Sequence, residues 1–502
     1  MKRALPHLAL FLFLTGVYVV SGPGRIDIID GQYRFEVTRN IVEIGRPVLR
    51  DPALDRGVYG PDGSHYSGYG PAASVAAVPL VAIAHAAAPG DRELAQFLFS
   101  FTSALLAALA MVLLFATYEL FGIPRRRALA ATLTVALATL MWPTATSTFD
   151  QAQQACAVIG ALYAGRRAAA AESWRWAGIA GLAAGMIVAF QNVYIVLVPA
   201  GAFACTLDGE RIVAFVRSRR FLAYAIAAAI GIACVVAYNV VRLGTLATEK
   251  NVSGVSPFGN PLIGALGLLV SPGKSVFLYS PPLVLAVIGW RRFRASQPGA
   301  ARAALILIGV HFVVIACLTF WGGDWAWGPR YTVVTLPLVC LALPFVALPR
   351  VVTRGLIVLG VVVQLLAISV DHQRFFFERD LPPYFWASSR LYFHDSALFA
   401  RPGELGSVLA QDNTEIRWFV PNPQHSATYT LYGPPAGFPA HRWMRAFALF
   451  YLPRPFPLWM RSLPDDEVPD GWQNVALGAL LMLLVGGALL AWTGRRLKDE
   501  AA

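Results

Sequence analysis

The sequence predicts an all-α polytopic membrane protein: about twelve transmembrane helices, extracytoplasmic loops, and a small extracytoplasmic cap near the C-terminus. Three observations carry this expectation. Of 502 residues, 57% are hydrophobic and 14% charged, against roughly 25% charged in a soluble domain. Apolar runs of about 20 residues, enough to cross roughly 30 Å of hydrocarbon, recur along the chain, and mean hydropathy is +0.56. Most Lys and Arg stand in short clusters between those runs, the pattern of the positive-inside rule. The formal net charge of +12 is therefore a topology signal, and a nucleic-acid partner is set aside.

The first run, Leu5 to Val20, follows Lys2 and Arg3 and is not followed by a clear A-x-A cleavage site. It is expected to be a retained helix with its N-terminus inside. Further runs stand at about 94–120, 128–148, 152–170, 177–207 (long enough for a tight hairpin), 221–243, 275–290, 302–320, 331–348, 355–370 and 472–493. Residues 72–88 are apolar too, but Pro79 and His85 interrupt them. A full span there would place Arg125, Arg126 and Arg127 outside and invert every later cluster. An interfacial or re-entrant element keeps them inside, together with Arg166/Arg167/Arg175, Arg211 to Arg220, Arg291 to Arg294, Arg350/Arg354 and Arg495 to Lys498, so charge favours that reading.

With that choice both termini are cytoplasmic. The chain divides into a transmembrane domain over 1–370 with a first extracytoplasmic loop at 22–93, a cap region over 371–471, and a last helix with a basic tail over 472–502. The cap region is rich in Pro and aromatics, with alternating runs that suggest a few strands and an interfacial segment at HRWMRAFALFYL. The five cysteines lie inside apolar runs without CxxC spacing, and the eight histidines show no HExxH pattern, so no protein-built metal cage is expected. A divalent cation is compatible with the chemistry below, but no visible cage requires one.

The densest polar feature follows the first span: Arg25-Ile-Asp27-Ile-Ile-Asp30-Gly31-Gln32-Tyr33-Arg34-Phe35-Glu36. Its acids stand at the membrane surface. Further on, Tyr66-Ser67-Gly68-Tyr69-Gly70-Pro71 leads into the apolar segment at 72–88, and Thr148-Phe149-Asp150-Gln151 precedes a helix at the outer end of the third span.

In order and spacing these elements resemble the GT-C superfamily of polyprenyl-phosphate-sugar-dependent glycosyltransferases, which includes the protein O-mannosyltransferases and the lipid A aminoarabinose transferases. The resemblance runs through about residues 1–210. The family usually has an Asp-Glu pair where this chain has Asp30-Gly31, and commonly Lys-Pro where it has Gly70-Pro71. It implies that Asp30 is the general base or acceptor-orienting carboxylate, that Asp150 is a second functional acid, and that Tyr33, Tyr66 and Tyr69 line the substrate. It also implies transfer of a sugar from a polyprenyl-phosphate carrier to an extracytoplasmic lipid, glycan or protein, and the Ala- and Arg-rich composition without eukaryotic targeting signals points to a bacterial inner membrane.

The geometry of such a reaction asks for these residue types. The donor's lipid tail stays in the bilayer while its phosphate and sugar sit at the outer surface, so the base must lie near the hydrocarbon boundary. Leaving-group charge then needs cations on the same face, and Arg330 and Lys274 rank first. Ser271-Pro272-Gly273-Lys274-Ser275 fails the spacing of a Walker loop, yet a turn rich in N–H groups before a helix suits phosphate. The Trp321-Gly-Gly-Asp324-Trp325-Ala-Trp327-Gly-Pro-Arg330-Tyr331 loop offers aromatic faces for a sugar and polar groups for its hydroxyls. An interfacial aromatic belt would explain its Trp residues but not Asp324 and Arg330. A secondary transporter or lipid-linked sugar flippase would also have about twelve spans, but it should show paired inverted halves, and the sequence has none.

Overall fold

The computed structural model describes residues 4–24, 26–51, 54, 57–244, 258–323, 326–370, 374–377, 390–410 and 472–499. It is helical almost throughout. The first helix, α1 (Leu5–Ser21), starts with a Pro in its first turn, where a missing N–H costs nothing. Next comes α2 (Ile29–Ile44), which ends on Gly45 at φ 70°, a left-handed cap that lets the glycine N–H bond back to the Asn40 and Ile41 carbonyls. A two-stranded antiparallel hairpin, β1 (Gly57–Tyr59) and β2 (His65–Ser67), pairs Val58 with Tyr66. Two helices follow, α3 (Ala72–Ala87) and α4 (Arg92–Phe99), the latter capped by Asp91, whose carboxylate accepts the Leu94 N–H at 2.9 Å.

The bundle continues with α5 (Thr102–Leu120), α6 (Arg125–Ala138), the short α7 (Met141–Ala145), α8 (Gln151–Ala170) and α9 (Trp174–Val188). After α9 the chain turns back through Asn192–Val196 and α10 (Leu197–Ala202), forming a hairpin, then passes α11 (Ile212–Val216) into the long α12 (Arg219–Leu243). Gly181 and Gly185 of α9 lie against the backbone of Tyr224, Ala228 and Gly231 on α12. Small residues allow this close approach, which is how apolar helices associate in lipid. The remaining elements are α13 (Pro261–Val270), α14 (Val276–Tyr279), α15 (Leu283–Ser296), α16 (Pro298–Ala316), α17 (Leu336–Val339), α18 (Arg350–Ser369), α19 (Arg374–Phe377), α20 (Arg390–His394), α21 (Ala397–Ala410) and a C-terminal helix, Trp472–Asp499. That last helix packs on α1, where Gly16 meets Leu483 and Gly486 meets Phe13.

Among the described residues, four helical stretches are long and apolar enough to cross a membrane: Arg92–Leu120, Arg219–Leu243, Pro298–Ala316 and Arg350–Ser369. Shorter apolar helices accompany them, so the chain is an integral membrane protein. Of the cap region expected over 371–471 with a few strands, the described residues 374–377 and 390–410 form the helices α19 to α21, and the rest, including the interfacial segment at HRWMRAFALFYL, lies outside the described residues.

Contacts sort the helix ends into two groups. At one end His7 and Arg125 both meet Glu119, at 2.9 and 2.6 Å. Arg166 binds Asp208 at 3.2 Å and the Thr206 carbonyl, Arg302 reaches Thr206, and Arg220 pairs with Glu210 at 2.6 Å. The arginine clusters gather here. The opposite end carries the hairpin and α2, α3 and α4, and those three helices share with Ile26 a small core of Phe35, Ala77, Val81, Ala84, Ala95 and Phe99. Both termini of α3 stay at this end: Ala72 N–H bonds the Ala189 carbonyl, and Ala84 packs into that core.

Candidate active site

Asp30 stands in the first turn of α2, one short step beyond the end of α1. Because Ile28 is extended and the helix begins at Ile29, the carboxylate projects from the helix start, where the dipole favours negative charge. Two groups from distant parts of the chain converge on it. The Tyr69 hydroxyl, from the turn after β2, donates to Asp30 Oδ1 at 2.6 Å. Arg330 Nη1, at the start of the 3-10 stretch Arg330–Thr335, lies 3.8 Å from Asp30 Oδ2. Burial and the Asp30 charge push the Tyr69 hydroxyl well above its ordinary range, so it remains a proton donor.

Arg330 is held in place from several sides. Its Nε donates to the Gly323 carbonyl at 2.8 Å, its Nη2 approaches the Tyr331 hydroxyl at 3.2 Å, and its guanidinium carbon lies 3.8 Å from the Phe149 ring centre. Gly323 has φ 76°, and a Cβ there would come within 2.6 Å of Arg330 Cγ. Glycine is required twice over, for conformation and for space.

The second acid is buried. Asp150 side chain is 1% exposed and accepts from Arg34 Nη2 at 3.0 Å and from Gln151 Nε2 at 3.0 Å. Arg34 in turn stacks its guanidinium 5.0 Å from the Tyr69 ring centre, and Tyr33 tilts against the same ring at 5.8 Å. A third acid, Asp27, accepts Ser147 Oγ at 2.6 Å, the Thr148 N–H at 2.9 Å and the Thr148 hydroxyl. It thereby fixes the turn that presents Phe149 to Arg330 and Asp150 to Arg34.

This turn also accounts for the departure at Gly31. A Cβ on Gly31 would meet Thr148 Oγ1 and Ile26 Cγ2, the latter at 2.7 Å, so the Glu that the family pattern offers has no room. Gly70 is similarly placed: a Cβ there would lie 2.6 Å from the Phe190 carbonyl oxygen.

A cavity of about 100 Å³ opens beside Arg330, with Asp27, Ser147, Thr144 and Trp327 in its wall, between the C-terminal ends of α1 and α18. Trp327 and Arg330 thus share this space. Lys274 does not line it. Its ammonium donates to the Ala326 and Gly328 carbonyls at 2.8 and 3.0 Å and lies 4.9 Å from the Tyr392 ring centre. It pins the Trp327 loop from behind. Trp321 is buried edge-on against Tyr392, at 5.4 Å, away from the cavity. Tyr66 donates to Asp62 at 3.0 Å at the hairpin tip rather than to Asp30. Asp324 and Trp325 lie outside the described residues.

The structure therefore brings together Asp30, Asp150, Tyr33, Tyr69, Trp327 and Arg330. Sequence reasoning did not single out Arg34 or Asp27. Arg34 follows Asp30 by one helical turn, a same-face spacing that could have marked it. Asp27 gave no such sign, because its partners are about 120 residues away. No group of three or more His, Cys, Asp or Glu side chains converges among the described residues.

No protein-family model matches the chain, and no curated relative matches it. Among solved structures it is similar to ArnT from Cupriavidus metallidurans in the apo state, at TM-score 0.48 and 15% identity, covering 96% of this chain and 75% of that one. The same protein bound to undecaprenyl phosphate gives TM-score 0.41 at 15% identity, with 96% and 75% covered. The archaeal oligosaccharyltransferase AglB from Archaeoglobus fulgidus, in complex with an inhibitory peptide and a dolichol-phosphate, gives TM-score 0.43 at 15% identity over 77% of this chain and 59% of that one.

Proposed function

We propose that the chain is a glycosyltransferase that moves a sugar from a polyprenyl-phosphate carrier to an extracytoplasmic acceptor, with Asp30 as general base. The observation that carries this reading is the Asp30–Arg330 arrangement at the outer end of the bundle: a carboxylate 3.8 Å from a guanidinium, beside a cavity that the same guanidinium lines. Exposure separates the roles of the two acids. Asp30 side chain is 20% exposed and can meet an acceptor, whereas Asp150 at 1% is committed to Arg34 and positions.

In the proposed step Asp30 takes the proton from an acceptor hydroxyl or amine. The freed electron pair forms the new bond to the anomeric carbon, the bond from that carbon to the phosphate oxygen breaks, and polyprenyl phosphate leaves with the electrons, inverting the sugar. Arg330 meets the charge that develops on the leaving phosphate. Tyr69 orients the carboxylate so that one oxygen holds a hydrogen bond while the other faces the acceptor. On this reading the arginine-rich end and both chain termini are cytoplasmic, in a bacterial inner membrane.

The test uses purified protein in nanodiscs with a panel of polyprenyl-phosphate sugars, each offered with lipid, glycan and peptide acceptors. Wild type is expected to release polyprenyl phosphate, and Asp30→Asn to lose roughly 100- to 10,000-fold in kcat while still binding the donor. Donor binding without turnover in wild type would overturn the transferase reading in favour of a carrier.

A further inference from the structure

We infer that Arg242, at the outer end of α12, is a positioning residue that fixes the turn from which Tyr69 donates to Asp30. The helix it belongs to is largely exposed along its length, as a lipid-facing span would be, with only 22% of its apolar window buried. Its outer end is different. Arg242 is 1% exposed, and Nη1 donates to the Ser67 carbonyl at 2.7 Å and to the Tyr69 carbonyl at 3.0 Å. Nη2 donates to Asn239 Oδ1 at 2.7 Å, one turn back on the same helix, and the guanidinium lies 5.1 Å from the Tyr238 ring centre.

A buried guanidinium normally faces a carboxylate, because an unpaired buried charge is costly. Here its partners are main-chain carbonyls and one amide, and among the described residues no carboxylate forms an ion pair with it. Two of those carbonyls flank Gly68, which has no heavy atom within 4 Å of where its Cβ would be. The turn is thus open around Gly68 and gripped on both sides of it by a single cation. The same helix end is seated on the hairpin, where a Cβ on Gly244 would lie 2.7 Å from Pro61 Cγ. The arginine fixes the Tyr69 backbone, Tyr33 and Arg34 fix its ring, and the hydroxyl then has one direction left, toward Asp30.

The inference rests on the transferase reading for its kinetic consequence, so its test has a second readout that does not. In nanodiscs, Arg242→Ala is expected to lower kcat by roughly 10-fold or more, as does Tyr69→Phe, with donor KM changed less than about 2-fold. The double variant is expected to fall no lower than Tyr69→Phe alone, because both changes remove the same hydrogen bond. Arg242→Lys should recover part of the loss. Hydrogen exchange, followed by mass spectrometry, should rise in Arg242→Ala in peptides covering residues 66–70 and stay unchanged in those covering α8. Multiplicative losses in the double variant, a change confined to KM, or unaltered exchange at 66–70 would each overturn the inference. If wild type shows no turnover, the transferase reading fails, and exchange at 66–70 still decides whether Arg242 holds the turn.

Discussion

At the scale of single residues, the site separates one part-exposed carboxylate, Asp30, from two buried ones, Asp27 and Asp150, by what each is given to hold. Asp150 and Arg34 form a pair that is almost wholly buried, so removing either leaves an unmatched charge. Arg34→Ala is expected to lower stability by roughly 3–5 kcal/mol, read by thermal unfolding in detergent. Tyr69 gives a pH prediction. Its hydroxyl is shifted upward by burial first and the Asp30 charge second. A raised folded pKa favours the protonated form, so the donor persists below the ordinary tyrosine range and is lost only on the alkaline side of it. The ratio of kcat/KM between wild type and Tyr69→Phe should therefore stay constant from about pH 6 to about pH 9. A ratio that collapses within that window would show the phenol ionising where its surroundings forbid it.

At the scale of elements, the loop of residues 321–331 and the turn of residues 146–150 are shaped by their glycines and by Asp27. Gly323→Ala combines an unfavourable φ with a methyl group pressed on Arg330, so it is expected to cost activity at least roughly 10-fold with little loss of stability elsewhere in the bundle. Gly31→Glu, which would recreate an acidic pair, should inactivate because it displaces Thr148. Much at this scale was legible in the sequence. Asp30 and Tyr69 stand out through the family resemblance and Arg330 through its glycine-rich aromatic loop, and the structure sets the three side by side. Lys274 shows what such patterns leave open. Its turn has the composition of a phosphate site, yet its ammonium is taken up by the Ala326 and Gly328 carbonyls. Which carbonyls lie nearby is decided by packing between helices far apart in sequence, and no local motif encodes it.

At the scale of the whole molecule, the two groups of helix ends make a prediction about sidedness. In a cysteine-free background, a cysteine at Arg50 is expected to react with a membrane-impermeant maleimide in intact spheroplasts, and one at Arg126 only after lysis, since both positions are exposed at opposite ends. The reverse pattern would invert the topology and sink the extracytoplasmic site. The long chain separation between Asp30 and Arg330 also bears on biosynthesis. The carboxylate and Tyr69 leave the ribosome early, while the arginine that completes the site follows about 300 residues later, a delay on the order of tens of seconds at ordinary elongation rates. Throughout that interval the growing protein carries Asp30 without Arg330, and on the transferase reading no competent catalyst exists until most of the chain has been made. A nascent chain stalled before residue 330 should thus be inserted, recognisable by its early helices, and inert.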